Sequence, residues 1–325
     1  MFARGAEAHH EGPRSLLPFR ARVGARKRTA ALDVVWSLRH LRGLSRVDWG
    51  DASDRDPEFI ATLDRAFTGL YDCYFRVDVR GWEHVAESPA LLVGNHSGFG
   101  VAELLMLLVA WHRQFGDSRP VYALAHRWLY KTPFLRVVIP KIGGVPASWG
   151  HACAVLERGD TLAIFPGGEL ESTRPFSERY KVNLHDRRGF VRLALAGDVP
   201  VVPFVTIGSH ATMPMPPGMH ALATVTGARR YLGLEAVPLP LQLVVWLLGA
   251  LALDGGMISS STYLLLLLAS PPLYPSKITT QFGPPIPAST LRTLAQEPGA
   301  AYRHVEAVMQ GMMDDLAAER RSLFS

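Results

Sequence analysis

Between residues 90 and 206, short apolar runs alternate with stretches of helical pattern, and this alternation leaves few architectures open. The strand candidates are 90–94, 120–125, 137–140, 161–165 and 200–206. Helical patterns fall at 101–115, 150–158 and 189–197, with a helix or turn region near 126–136. Strands separated by helices pair in parallel, and runs that are apolar throughout suit strands covered on both faces. The predicted fold is α/β, with a mainly parallel central sheet flanked by helices. Upstream, Asp56-Pro57 supplies an N-cap and a proline for the first helical position, with Phe59, Leu63, Phe67, Leu70 and Tyr74 on one face. Phe75–Val79 alternates as a strand does, and Gly81 breaks it. Residues 277–287 read as a last strand and turn, and 290–321 as a terminal helical region. At 325 residues and 48% hydrophobic, the chain has enough apolar surface for one large core.

The ends of the chain read differently. Met1–Arg28 carries seven Arg and Lys residues and no apolar stretch typical of a secretory signal. Residues 1–30 are expected to be a basic, disordered N-terminus, and 31–325 a single domain. Leu32, Val35, Trp36 and Leu38 recur at helical spacing among Arg39, Arg42 and Arg46. That pattern fits an interfacial amphipathic helix beside anionic lipid or a helix packed on the domain. The formal net charge is +5, which suits an anionic partner. No basic–aromatic nucleic-acid pattern is present, so the expected partner is an anionic membrane surface and not nucleic acid. Cys73 and Cys153 form no CxxC pair and are expected to be buried thiols.

From Ala236 to Ser276 the only charged residue is Asp254. Its apolar centres, 241–253 and 263–269, are each shorter than the ~20 residues of a spanning helix. Prolines at 238, 240, 271, 272 and 275 bound the region. It reads as a membrane-associating insertion, a shallow monotopic hairpin or docked flap, with a core-packed insertion as the alternative.

The chemistry-bearing residues gather where apolar strands end. Asn95-His96-Ser97-Gly98 follows the run 90–94 and precedes the 101–115 helix, with Glu103 just beyond. A histidine at such a turn sits at the carboxyl edge of a sheet, where α/β proteins place their chemistry. A nearby carboxylate would orient its ring and stabilise its charged form. No Gly-x-Ser-x-Gly elbow, P-loop or complete Gly-x-Gly-x-x-Gly is present, which sets aside serine hydrolases and nucleotide binders. His126, His151 and His185 lack metal-ligand spacing, and no metal is expected.

Five blocks occur in order. They are Gly94-Asn95-His96-Ser97-Gly98 with Glu103; Gly143-Gly144-Val145-Pro146; Phe165-Pro166-Gly167-Gly168-Glu169; Phe176, Lys181 and Arg188-Gly189-Phe190; and Val199-Pro200-Val201-Val202-Pro203-Phe204. The ordered set resembles the PlsC-like lysophospholipid and glycerolipid acyltransferase superfamily, in its diacylglycerol-acyltransferase-like branch. The resemblance implies that His96 is the general base for an acceptor hydroxyl attacking an acyl thioester, with Glu103 as its carboxylate. It places Asn95, Ser97, Gly98, Gly144, Val145, Pro146, Phe165, Pro166, Gly167, Gly168, Glu169, Lys181 and Arg188 along the substrate. The co-substrate is acyl-CoA or acyl carrier protein, no other cofactor is implied, and the acceptor is a lipid hydroxyl. The expected location is the cytoplasmic face of a membrane, peripheral or monotopic.

Three places depart from the family pattern, the first being Ser148-Trp149, which stand where an Arg or Lys often follows the second block. The family spacing is His-x4-Asp, but Val101 stands at the aspartate position and the next acid is Glu103, seven residues after His96. On a continuous helix those seven residues would span about 10 Å, so a pair requires residues 97–100 to turn compactly. Otherwise Glu169 or Glu171 supplies the charge, or the chain is a lipid-binding relative without turnover. In the phosphate-acceptor branch an arginine follows the third block, and here Leu170 holds its place. That favours a neutral acceptor, or a phosphate contact from Arg174, Arg179, Lys181 or Arg188. A non-glycerol lipid acceptor is the remaining alternative.

Overall fold

The computed structural model describes residues 54–85, 89–98, 101–127, 129–231, 233–320 and 322. The readings for 1–30, for the helix near 32–46 and for Phe99 and Gly100 lie outside these residues. Among the described residues, seven strands form one sheet: β1 (Asp78–Arg80), β2 (Leu91–Gly94), β3 (Val121–Ala125), β4 (Gly144–Pro146), β5 (Thr161–Ile164), β6 (Val201–Ile207) and β7 (Thr279–Phe282). Their spatial order is β1-β7-β6-β2-β5-β3-β4. Only β6–β7 is antiparallel, so the mainly parallel sheet holds.

The three central strands are the apolar ones. Every residue of β2, β5 and β6 is buried. Because side chains alternate across a strand, Leu91 and Val93 enter one core and Leu92 enters another. The first core packs against helices Trp149–Glu157, Gly189–Gly197 and Ala300–Glu319 through Val155, Leu193, Val305 and Met309. The second meets Leu107 and Trp111 of helix Val101–Phe115, with Phe204 and Phe282. Helices on both faces explain why these strands read as unbroken apolar runs.

Helix limits match the sequence closely at 101–115 and 189–197. Asp56 caps helix Pro57–Gly69, its carboxylate accepting the Phe59 amide at 3.0 Å. One element is corrected: 137–140, expected as a strand, lies within helix Leu135–Lys141. A short run such as Val-Val-Ile-Pro carries no period that separates strand from helix. Pro140 sits in the last turn of that helix, and the edge strand β4 begins only at Gly144. Cys73 is exposed and Cys153 half-buried, against the expectation for both.

The charge-poor region forms helices Leu241–Asp254 and Ser260–Ala269. Among the described residues, no helix is long and apolar enough to cross a membrane. The core-packed alternative is excluded by Leu247, Leu248, Leu251, Leu264, Leu265 and Leu268, which are exposed.

Candidate active site

Three adjacent parallel strands, β6, β2 and β5, deliver the site from their carboxyl ends. Past β2 come Asn95, His96, Ser97 and Gly98. Past β5 come Phe165 and helix Gly168–Ser172, which contains Glu171. Past β6 come Gly208 and helix Ser209–Thr212.

His96 and Glu103 meet. The ring Nδ1 lies 3.0 Å from Glu103 Oε2, and the Ser97 amide donates to the same oxygen at 2.9 Å. An oxygen already accepting an amide proton is the acceptor for Nδ1–H as well. The pairing favours the tautomer with its proton on Nδ1, which leaves Nε2 as the ring's free acceptor. The His96 side chain keeps 17% of its surface exposed, whereas Glu103 is fully buried. Burial pushes the Glu103 carboxyl above its ordinary value, against the opposing pull of His96. Its other oxygen, Oε1, has no hydrogen-bond partner among the described residues.

The compact turn that this pairing needs is visible at Gly98, whose φ is +82°. A Cβ there would stand 2.9 Å from the Ser209 carbonyl oxygen. Gly98 thus serves both the left-handed backbone and the close approach of helix Ser209–Thr212.

A second buried carboxylate holds the same histidine by its backbone. Glu171 Oε2 accepts the His96 amide at 2.8 Å, and Oε1 accepts the Asn183 amide at 3.2 Å. Arg174 forms an ion pair with Glu171 and donates Nε–H to the Glu171 carbonyl at 2.9 Å. Burial raises the Glu171 carboxyl, with Arg174 opposing it. Gly167 lies so close that any Cβ there would overlap the Glu171 carboxylate. Glu171 therefore positions the His96 backbone, and the ring pairs with Glu103.

Other expected site residues divide by location. The Phe165 ring lies 5.2 Å from the His96 ring, centroid to centroid. Pro166, Gly167 and Gly168 make the turn beneath it. Asn95 is fully buried and spends its amide on Thr206, donating to its carbonyl at 3.1 Å and accepting its N–H at 2.7 Å. It ties β2 to β6 and has no free group for substrate. The Ser97 side chain is buried too, leaving its amide as its contribution. Glu169 faces away from His96, accepting the Glu235 and Ala236 amides at 3.1 and 3.4 Å. Lys181 and Arg188 are drawn to local acids, Glu178 at 3.2 Å and Asp186 at 2.7 Å. Gly144, Val145 and Pro146 form the edge strand β4, separated from β2 by β5 and β3. At ~4.8 Å per strand step, that is about 14 Å from the histidine strand.

His210 was not singled out in the sequence, although Gly208-Ser209-His210 follows β6 much as Gly94-Asn95-His96 follows β2. It is buried, its Nε2 has no hydrogen-bond partner among the described residues, and burial holds it well below the ordinary histidine value. Arg174, His96 and Arg179 add to that depression.

With this geometry in place, the likeness to known proteins becomes specific. The family model described as Acyltransferase matches residues 76–207, a span that holds His96, Glu103, Glu171 and the whole of β2 through β6. Residues 76–207 are thus similar to the acyltransferase family. The chain is 32% identical over 174 residues to an uncharacterized protein of Mycobacterium tuberculosis, covering 53% of this chain and 49% of that one. It is 30% identical over 142 residues to a chicken protein named "DGAT1/2-independent enzyme synthesizing storage lipids", covering 42% and 41%. The chain spans about half the length of the curated relatives it matches. A solved structure, the 1-acyl-sn-glycerophosphate acyltransferase PlsC of Thermotoga maritima, aligns at a TM-score of 0.49 and 19% identity, covering 82% of this chain and 81% of that one.

Proposed function

We propose that this chain is a membrane-held lipid O-acyltransferase with His96 as general base. In the reaction, Nε2 of His96 takes the proton of an acceptor hydroxyl as its oxygen attacks the carbonyl carbon of an acyl thioester. The C–O bond forms, the C–S bond breaks, and the imidazolium returns the proton to the departing thiolate. Glu103 orients the ring and offsets its positive charge in the middle of that cycle. The observation that carries this reading is the buried carboxylate 3.0 Å from His96 Nδ1, despite a spacing that departs from the family pattern.

The acceptor read from the site is a neutral lipid hydroxyl. Leu170 occupies the position of the phosphate-branch arginine, and four nearby cations are paired with acids, Arg174 with Glu171, Lys181 with Glu178, Arg187 with Glu235 and Arg188 with Asp186, while Arg179 donates to the Phe176 carbonyl at 3.1 Å. The storage-lipid name of the chicken relative agrees with a neutral acceptor. The donor is acyl-CoA or acyl carrier protein. Lipid mass spectrometry of purified protein given labelled acyl-CoA and matched neutral and phosphorylated acceptors tests both points. Labelled ester on diacylglycerol or a long-chain alcohol is the predicted outcome. Product confined to lysophosphatidate would overturn the neutral acceptor, and no product on any acceptor would favour the lipid-binding relative without turnover.

A further inference from the structure

Helices Leu241–Asp254 and Ser260–Ala269 form a hairpin whose sequence and exposure disagree. A helix apolar on all sides belongs in a core or in lipid, yet most of this pair faces outward. Leu247, Leu248 and Leu251 are 52%, 61% and 66% exposed, and Leu264, Leu265 and Leu268 56%, 65% and 69%. The exposed leucines 241, 243, 247, 248 and 251 cover an arc of roughly 160° at 100° per residue. That is wider than the stripe one protein helix covers. The two helices themselves hold a single charge, Asp254. Arg229, Arg230 and Tyr231, exposed just before the hairpin, suit a headgroup layer.

We infer that this hairpin docks the protein on a lipid bilayer and lies flat in the interface, without plunging tip-first. The inference deepens the proposed function by naming the element that holds the site at lipid. The lengths are roughly 21 and 15 Å at 1.5 Å per residue, against a ~30 Å hydrocarbon core. The tip decides the orientation. Beside the exposed Met257 it carries exposed Asp254, Gly255, Gly256, Ser259, Ser260 and Ser261, so an upright hairpin would bury a carboxylate and a row of hydroxyls at its deepest point. Lying flat, it buries the leucines and leaves the tip in water.

The hairpin is fixed relative to the site. Its two helices meet where Gly249 faces the Tyr263 ring, and the Trp246 indole N–H donates to the Ser270 carbonyl at 2.9 Å. Both of its feet bond one atom: the Thr212 carbonyl accepts Gln242 Nε2–H at 2.9 Å and the Tyr274 amide at 2.8 Å. Thr212 ends the short helix whose Ser209 abuts Gly98. A docked hairpin therefore sets the His96 turn at a defined height above the lipid.

The test is flotation of the full chain with vesicles of phosphatidylcholine and phosphatidylglycerol. Wild type and His96→Ala are expected to float alike, which separates docking from turnover. Leu248→Asn/Leu265→Asn/Leu268→Asn, all at exposed positions, is expected to lose more than tenfold in vesicle binding with an unchanged circular dichroism spectrum. In a Cys73→Ser/Cys153→Ser background, an environment-sensitive dye on Leu265→Cys should shift to the blue on docking and a dye on Ser261→Cys should not. Wild-type protein that stays unbound would overturn the proposal. So would a leucine-dependent dimer that does not float, which would make a second copy the occupant. A tip dye that shifts as far as the one at 265 would overturn the flat orientation.

Discussion

Glu103 Oε2 receives two donors at once, the His96 ring at 3.0 Å and the Ser97 amide at 2.9 Å. One buried oxygen thus sets the ring's tautomer and closes the turn that brings the ring to it. Glu103→Gln keeps the shape but puts a neutral amide beside the ring. Acyl transfer is expected to fall by ~10²-fold or more, the scale of positioned acid–base groups. A steady-state rate within a few-fold of wild type would remove Glu103 from the mechanism.

Arg174→Met tests the second carboxylate. It strips the cation from Glu171 and leaves a fully buried acid with two amide donors and no countercharge, and breaking a buried pair costs about 3–5 kcal/mol. The Glu171 carboxyl is raised by burial, and losing Arg174 raises it further. A group raised in the folded state contributes stability below its unfolded value of 4.5 that is lost as pH rises through the folded value. The deficit in urea unfolding is therefore expected to be smallest near pH 4.5 and to grow above it. A deficit independent of pH would contradict the assignment.

His210 has the opposite sign. Its folded value lies well below 6.5, so the unfolded chain binds a proton that the native chain refuses. Stability is expected to fall as pH drops below 6.5 toward the folded value, by up to about 1.4 kcal/mol per pH unit for one proton. His210→Phe should flatten that limb of the urea-unfolding profile; an unchanged slope would show that His210 titrates normally.

Gly98→Ala forces a methyl group toward the Ser209 carbonyl and a left-handed backbone onto an L-residue. A loss of about 1–3 kcal/mol is expected, with reduced turnover because the same turn carries His96. Thermal unfolding and turnover measured together check it, and a variant as stable and active as wild type would show that the turn tolerates a side chain.

The central fold was legible because β2, β5 and β6 are covered on both faces and so read as apolar runs, while helices 101–115 and 189–197 show a clean period. The 135–141 helix was not, since four apolar residues before a glycine pair fit either state. His96 was legible from its turn. Its pairing with Glu103 depended on a local fold-back that residue spacing alone argues against. Glu171 was named only as an alternative to Glu103, and its hold on the His96 backbone, like the place of His210, was beyond reach for a different reason. The two residues lie 75 and 114 positions after His96 in the chain, and only the order β6-β2-β5 brings their strands beside it.

The most direct measurement is transfer of labelled acyl groups from acyl-CoA to a neutral lipid acceptor by His96→Ala protein whose circular dichroism spectrum and vesicle binding match wild type. Ester formation at the level of a no-enzyme control is the predicted result. Ester formation at the wild-type rate would contradict the account, because no proton acceptor would then be needed at Nε2 of His96.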